Sequence, residues 1–316
     1  MSRMKDGWQI SVVPQVSLKR PFSNTTPLIA AIMKEETPYI VEWVAWHKLQ
    51  GFDLMVGDNC TEGPQTDLLK RLERIGLLTY VDCRNVRYPP QLPAYRKMVV
   101  RAFLLGRRYI GFLDADEFFE PLGKDDRTGA GLVRETLNRR GIHACGYRWA
   151  IFGSSGEERG SAEPVMLRFV QRAPPLAVFA DRPKSFARVS ALISRRPRIR
   201  GRKLVLFGVI GPHHFHLPRK RYLVDGAGAA EPEEGVRDWQ HARIRHYAVK
   251  SREECRLKAR RGDVFYEANK YANDDYWRRY DLNDIGDPLA PEMQRALLDK
   301  IAEIEAALSA DVAQAK

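Results

Sequence analysis

Along the first third of the chain, short apolar runs alternate with longer stretches whose apolar residues recur at helical spacing. Residues 27–33 (PLIAAIM) are wholly apolar, the pattern of a strand buried on both faces. Thr37 then offers an N-cap side chain and Pro38 suits a first helical position. Ile40, Trp43, Val44 and His47 recur at helical spacing, which predicts a helix over 38–50 ending at Gly51. A second strand is predicted at 53–56, then the turn-rich 57–64, and an amphipathic helix at 66–75 stopped by Gly76. A third strand covers 77–81, a proline-containing loop leads into a helix at 94–105 closed by Gly106, and 109–113 (YIGFL) is a fourth strand. Parallel neighbours need crossover helices, so this alternation predicts an α/β fold with a mainly parallel, Rossmann-like sheet covered on both faces.

The second half is less regular. Strands are predicted at 141–152 and 164–170, separated by a glycine- and serine-rich, flexible 153–160. A further strand is expected at 203–210, a loop at 226–235, and helices at 246–259 and 291–308. In the last helix Leu297, Leu298, Ile301, Ile304 and Leu308 form one apolar stripe, read as a packing face.

With 316 residues, 44% of them hydrophobic, the chain can bury a full core. No stretch approaches the ~20 apolar residues of a spanning helix, and 1–20 lacks the apolar centre of a signal peptide. The expected location is the cytoplasm. Four cysteines without a C-x-x-C pair read as buried thiols in a reducing compartment. Net charge is +12, with basic residues gathered at 195–203, 219–221 and 243–261. Such a surface suits nucleic acid, an anionic membrane face or an anionic small substrate.

Chemistry concentrates after the fourth strand. Ligands of open α/β sheets bind beyond the carboxyl ends of the strands, and Asp114-Ala115-Asp116-Glu117 sits there. Three carboxylates in four residues repel one another and call for a cation, and hard Mg²⁺ or Mn²⁺ ions bridge carboxylates to phosphates. A basic nucleic-acid-binding module leaves this cluster unexplained, because carboxylates repel phosphate backbones. A haloacid-dehalogenase-type phosphatase also uses D-x-D after an apolar strand, with Asp114 as nucleophile. In that family the motif lies on the first strand, and Thr or Val replaces Glu117.

Several further segments carry a family resemblance. Lys34-Glu35-Glu36-Thr37-Pro38-Tyr39 with Glu42-Trp43 and His47 is one, and Asp58-Asn59-Cys60-Thr61-Glu62-Gly63 is another. Gln91 with Ala94-Tyr95, Phe112 to Phe119, Trp149 to Gly156, and His246-Tyr247 with Lys250, Ser251 and Lys258 complete the set. Together they resemble glycosyltransferases of the GT-A fold, in particular a family 2-like bacterial group related to family 92. Glu35 stands where that group usually has Asn, and Cys60-Thr61-Glu62 departs from its common pattern.

The resemblance implies a nucleotide-sugar donor, Mn²⁺ or Mg²⁺ as cofactor, and a sugar, glycan or lipid-linked acceptor. It divides the chain into an N-terminal extension (1–26), a nucleotide-sugar-binding half (27–125), an acceptor-side half (126–265) and a C-terminal helical segment (266–316). Glu35, Asp58, Gln91, Tyr95, Asp114, Lys250 and Lys258 are the expected donor-binding residues. Asp114, Asp116 and His246 are the expected metal ligands, and Trp149 is a candidate acceptor platform. An inverting transferase needs a carboxylate to take the acceptor proton; Glu157, its neighbour Glu158 and Asp263 are the candidates. His213, His214 and His216 read as structural or acceptor-side. The basic second half suggests an anionic or membrane-lipid-linked acceptor, with peripheral contact to an anionic membrane.

Overall fold

The computed structural model describes residues 22–60, 62–123, 127–175, 183–197, 202–206, 209–210, 215–216, 221–224, 239–262 and 274–314. The chain begins with β1 (Leu28–Met33), α1 (Thr37–Leu49), β2 (Asp53–Asp58), α2 (Pro64–Arg74), β3 (Thr79–Asp82), α3 (Gln91–Leu104) and β4 (Tyr109–Phe112). It continues with β5 (Glu117–Pro121), α4 (Gly129–Asn138), β6 (Ile142–Tyr147), β7 (Trp149–Ile151), α5 (Val165–Arg168), β8 (Gln171–Arg172), β9 (Lys184–Arg188), α6 (Val189–Leu192) and β10 (Ile193–Pro197). Next come β11 (Arg202–Leu206), β12 (Val209–Ile210), β13 (Phe215–His216), β14 (Arg221–Val224) and β15 (Ala242–His246). The last elements are α7 (Arg252–Arg261), α8 (Asp274–Tyr280), β16 (Ile285–Gly286) and α9 (Pro291–Gln314).

The fold is α/β, as the alternation predicts. Its main sheet has seven strands in the order β14-β6-β9-β4-β1-β2-β3. β1 is parallel to β2 and β4, β2 to β3, and β14 to β6, whereas β9 is antiparallel to both β4 and β6. All six β1 residues are buried. Ile29, Ala31 and Met33 enter one core with α1, α2 and α9, while Leu28, Ala30 and Ile32 enter another with α3 and α6. That is the two-sided burial a continuous apolar strand requires. A second, three-stranded sheet, β5-β15-β7, branches off directly after the acidic cluster. β9 can lie flat across β4 because Gly111 has no side chain; a Cβ there would come within 2.7 Å of the Phe186 ring.

The second half departs from expectation in several places. The predicted strand 141–152 is two strands, β6 and β7, which belong to different sheets. The predicted strand 164–170 contains a helical turn instead, because the Glu42 carboxylate accepts the Val165 and Met166 N–H groups at 2.8 and 2.9 Å. The predicted helix 246–259 is the end of β15 followed by α7, which starts six residues later at Arg252. Ser251 and Glu254 form a reciprocal capping box there, and that sets the start. The predicted strand 203–210 is divided between β11 and β12. The stripe on α9 does pack: Leu297, Ile304 and Leu308 are buried, while Leu298 is 46% exposed.

The basic stretch 243–261 turns largely inward. Arg243 and Arg245 are buried in ion pairs with Glu120 and Asp287, and Arg261 pairs with Glu36. An exposed basic face was the basis for expecting an anionic membrane or acceptor, and this part of it is spent on internal pairing. Among the described residues no helix is long and apolar enough to cross a membrane.

One helix holds much of this together. Trp43 Nε1–H donates to the Asp114 carbonyl (3.1 Å) and Trp46 Nε1–H to the Phe119 carbonyl (2.7 Å). His47 donates from Nδ1 to the Trp43 carbonyl (2.9 Å) and accepts the Phe119 N–H at Nε2 (3.2 Å). Both ring nitrogens are therefore committed with the imidazole neutral. Burial pushes its pKa down from 6.5 to about 3. The unfolded chain takes that proton near pH 6.5 and the folded chain only near 3, so acid favours unfolding. The stability advantage of wild type over His47→Gln will shrink by about 2 kcal/mol between pH 6.5 and about pH 5. Urea unfolding of both proteins at the two pH values measures this, and a constant difference would refute it.

Candidate active site

The acidic cluster is the turn between β4, in the main sheet, and β5, in the second sheet. Asp114 N–H donates to Glu117 Oε2 (2.9 Å) and Glu117 N–H to the Asp114 carbonyl (3.1 Å), closing the turn. From the outside it is pinned by Trp43 on Asp114 and by Tyr247 N–H on the Asp116 carbonyl (2.9 Å). Asp116 and Glu117 are buried, and the Asp114 side chain is 37% exposed.

Cations reach the cluster from distant parts of the chain. Lys258 Nζ lies 2.6 Å from Asp116 Oδ2 and also donates to the Ala248 carbonyl (3.0 Å). Lys184 Nζ bridges Asp114 Oδ2 (2.7 Å) and Glu117 Oε2 (2.9 Å) with its side chain fully buried. β9 runs antiparallel to β4, with Gly111 opposite Phe186. Its first residue, Lys184, therefore overshoots the carboxyl end of β4 and arrives beside Asp114. Sequence reading misses Lys184, since a strand lysine ordinarily reads as solvent-facing.

His246, at the end of β15, lies with Nε2 3.9 Å from Asp116 Oδ1. Burial pushes its pKa down to about 3, so the imidazole is neutral. Its Nδ1 is buried with no hydrogen-bond partner among the described residues. Ligand atoms of Asp116, Glu117 and His246 all lie within 4.8 Å of one another. Asp116 and His246 thus come together as the sequence suggests. Glu117 joins them, and Asp114 turns toward Lys184.

The charges in the cluster push one another's pKa values in opposite directions. Burial alone would raise the Asp116 carboxyl, but the Lys258 ammonium, with Lys250 adding to it, holds it well below the usual range. Burial drives Glu117 up to about 8, with Asp114 and Asp116 adding to the rise and Lys184 opposing it. Trp149 Nε1–H donates to Glu117 Oε1 (2.9 Å), and the indole packs against His246 at 4.3 Å between centroids. Trp149, expected as an acceptor platform, is 5% exposed and supports the cluster from within.

The other expected residues ring this centre. Asp58 is buried and accepts from Gln65 (2.7 Å), Thr66 (2.6 Å) and the Cys60 N–H (3.1 Å), tying the end of β2 to α2. Glu35 is exposed in left-handed backbone (φ 55°), and Arg261 takes its carbonyl at 3.0 Å. Gln91 donates to the Tyr95 hydroxyl (3.1 Å), and Tyr95 stacks on Phe112 at 3.9 Å. Lys250 is buried with its ammonium 4.2 Å from the centre of the Tyr39 ring. Glu157 is exposed on the loop after β7. Asp263, His213 and His214 lie outside the described residues, and only the backbone of His216 is described.

No protein-family model matches the chain, and no curated protein matches it. Among solved structures it shows partial likeness to S. aureus TarS. TarS 1-349 in complex with UDP matches at TM-score 0.34 and 13% identity, over 52% of this chain and 48% of that one. TarS 1-349 alone matches at 0.31 and 14%, over 52% and 47%. S. aureus TarS matches at 0.31 and 13%, over 52% and 28%. The overlap is about half of this chain and less than half of each TarS chain.

Proposed function

We propose that the chain is a metal-dependent glycosyltransferase that moves a sugar from a nucleotide-diphosphate donor, UDP-sugars favoured, to an acceptor hydroxyl. The observation that carries this reading is the buried meeting of Asp116, Glu117 and His246 at the carboxyl edge of parallel strands. Two carboxylates and a neutral imidazole with ligand atoms within 4.8 Å of one another form an oxygen- and nitrogen-donor set that suits Mn²⁺ or Mg²⁺. When bound, the ion supplies Lewis-acid neutralisation of a departing diphosphate.

The chain's own residues do the rest. Lys258 keeps Asp116 ionised, and Trp149 with Lys184 fixes the orientation of Glu117. Arg261, paired with Glu36, ties α7 to the Lys34 and Glu35 carbonyls at the end of β1. The acceptor proton goes to a carboxylate in an inverting transfer, for which Glu157 and Asp263 are the candidates, and polysaccharide or glycoconjugate synthesis is the fitting setting. Calorimetry with UDP tests the reading: Mn²⁺ will strengthen binding by roughly 10–100-fold, and Asp116→Asn will remove that increment. Equal UDP affinity with and without the ion would sink the metal role, and the same titration with GDP and dTDP selects the base.

A further inference from the structure

The glycine- and serine-rich segment after β7, expected to be flexible, is fastened at almost every residue. Phe152 N–H donates to the His246 carbonyl (3.0 Å), Ser154 N–H to Asp281 Oδ1 (2.7 Å) and Ser155 N–H to Asn283 Oδ1 (2.7 Å). Asn283 also donates to Asp281 Oδ1 (2.8 Å), and Ser155 Oγ accepts the N–H groups of Val170 and Gln171. A Cβ on Gly153 would come within 2.7 Å of the Leu282 carbonyl oxygen, so the packing is tight.

This fastened loop is the floor of a cleft of about 350 Å³, whose lining includes Ser154, Glu158, Arg252, Trp277, Arg278 and Asp281. α8 is its wall and also its link to the acidic cluster. On one face of α8, the Tyr280 ring lies 6.0 Å from His246 and the Tyr276 ring 5.9 Å from the Lys258 ammonium. On the other, Asp274, Trp277 and Arg278 line the cleft. One short helix thus separates the two sites, and its two faces alternate between them at helical spacing.

The lining has a recognisable chemistry. Trp277 is half-buried, with the Arg252 guanidinium 4.5 Å from its ring centre holding the indole in place. Around it stand carboxylate, amide and guanidinium groups, planar and able to bridge neighbouring hydroxyls. The bonds holding Asp281 all fall on Oδ1, so Oδ2 keeps its acceptor capacity. Glu158, Asp274 and Asp281 are set against Arg252 and Arg278, and Arg252 is already paired with Asp274 at 2.6 Å. That balance disfavours an anion. The volume suits a small ligand and is too small for a macromolecular surface.

We propose that this cleft binds a neutral saccharide unit, the ring packing on Trp277 and its hydroxyls bridging Asp281, Glu158 and Arg278. Its assignment as the acceptor side of the transfer rests on reading the acidic cluster as a nucleotide-sugar site; the binding itself does not.

Saturation-transfer NMR on the full chain tests this, with glucose, N-acetylglucosamine, cellobiose and glucuronate as probes. At least one neutral probe will receive transfer, and binding will weaken about tenfold or more in Trp277→Ala. Arg278→Ala, at a side chain 74% exposed and so harmless to folding, will weaken the same probe. Titration of Trp277→Ala with UDP reports separately on its fold and donor site. No transfer to any neutral probe overturns the proposal. So does binding that ignores both substitutions, or binding confined to glucuronate and lost with salt. Saccharide transfer without metal-dependent UDP binding would support the cleft and refute the donor reading.

Discussion

Lys184→Met will destabilise the protein by about 3–5 kcal/mol above about pH 8, where Glu117 is ionised in the wild type and its buried charge would lose its partner. The lysine side chain is fully buried between Asp114 and Glu117, so no solvent cation can replace it without opening the site. The loss will depend on pH in a defined direction. Without the ammonium, both carboxyls hold their protons to higher pH in the folded variant than in the folded wild type. The gap between the two proteins therefore widens as pH rises and narrows in acid, where the carboxyls are protonated in every state. Denaturant unfolding at about pH 6 and about pH 9, on either side of the Glu117 value of about 8, reads both the size and the sign. A variant as stable as wild type at the higher pH would show that Lys184 is not the internal counter-ion of the cluster.

Trp43→Ala will cost a similar 3–5 kcal/mol, because a fully buried indole is lost and a cavity is left between α1 and the acidic turn. Trp43→Phe separates two contributions. It keeps most of the volume but takes one of two donors from the Asp114 carbonyl, which keeps the Glu117 N–H, and should cost about 0.5–1.5 kcal/mol. The phenylalanine variant also tests whether the anchored turn matters for ligand binding. Its metal-dependent UDP titration should weaken, since the backbone that carries Asp114 to Glu117 loses its tether. Unchanged binding together with lost stability would make Trp43 a packing residue only.

Local patterns were informative wherever one element is specified by its own residues. The continuous apolar run of β1 announces burial on both faces, and the observed split of its alternate residues between two cores is the consequence. Pro38 in the first turn of α1 and the Ser251–Glu254 box of α7 are start signals readable without any partner. The helical periodicity over 246–259 nonetheless runs across the box, which alone marks the true start at Arg252. Local pattern failed where a distant group decides the outcome. Residues 164–170 looked extended, and only the Glu42 carboxylate, more than 120 positions away, explains the helical turn. β5 has no local signature because its residues continue straight from the acidic motif into a different sheet. The basic stretch 243–261 read as a charged surface because its acidic partners, Glu120, Asp287 and Asp116, are remote in sequence.

The sequence by itself determined the α/β architecture and the placing of three carboxylates at the end of a parallel strand. It also carried the demand that something positive must meet them. Each follows from short-range periodicity, or from the repulsion of like charges a few residues apart. Which cations answer that demand was decided by tertiary structure alone. Lys184 arrives across 70 residues because β9 inserts antiparallel beside β4, and Lys258 across 142 because α7 packs back over the turn. His246 joins Asp116 and Glu117 through β15, which pairs with β5 so that His246 lies opposite Glu117, its first residue. Such pairings depend on strand direction and order, and no local pattern in the chain records either.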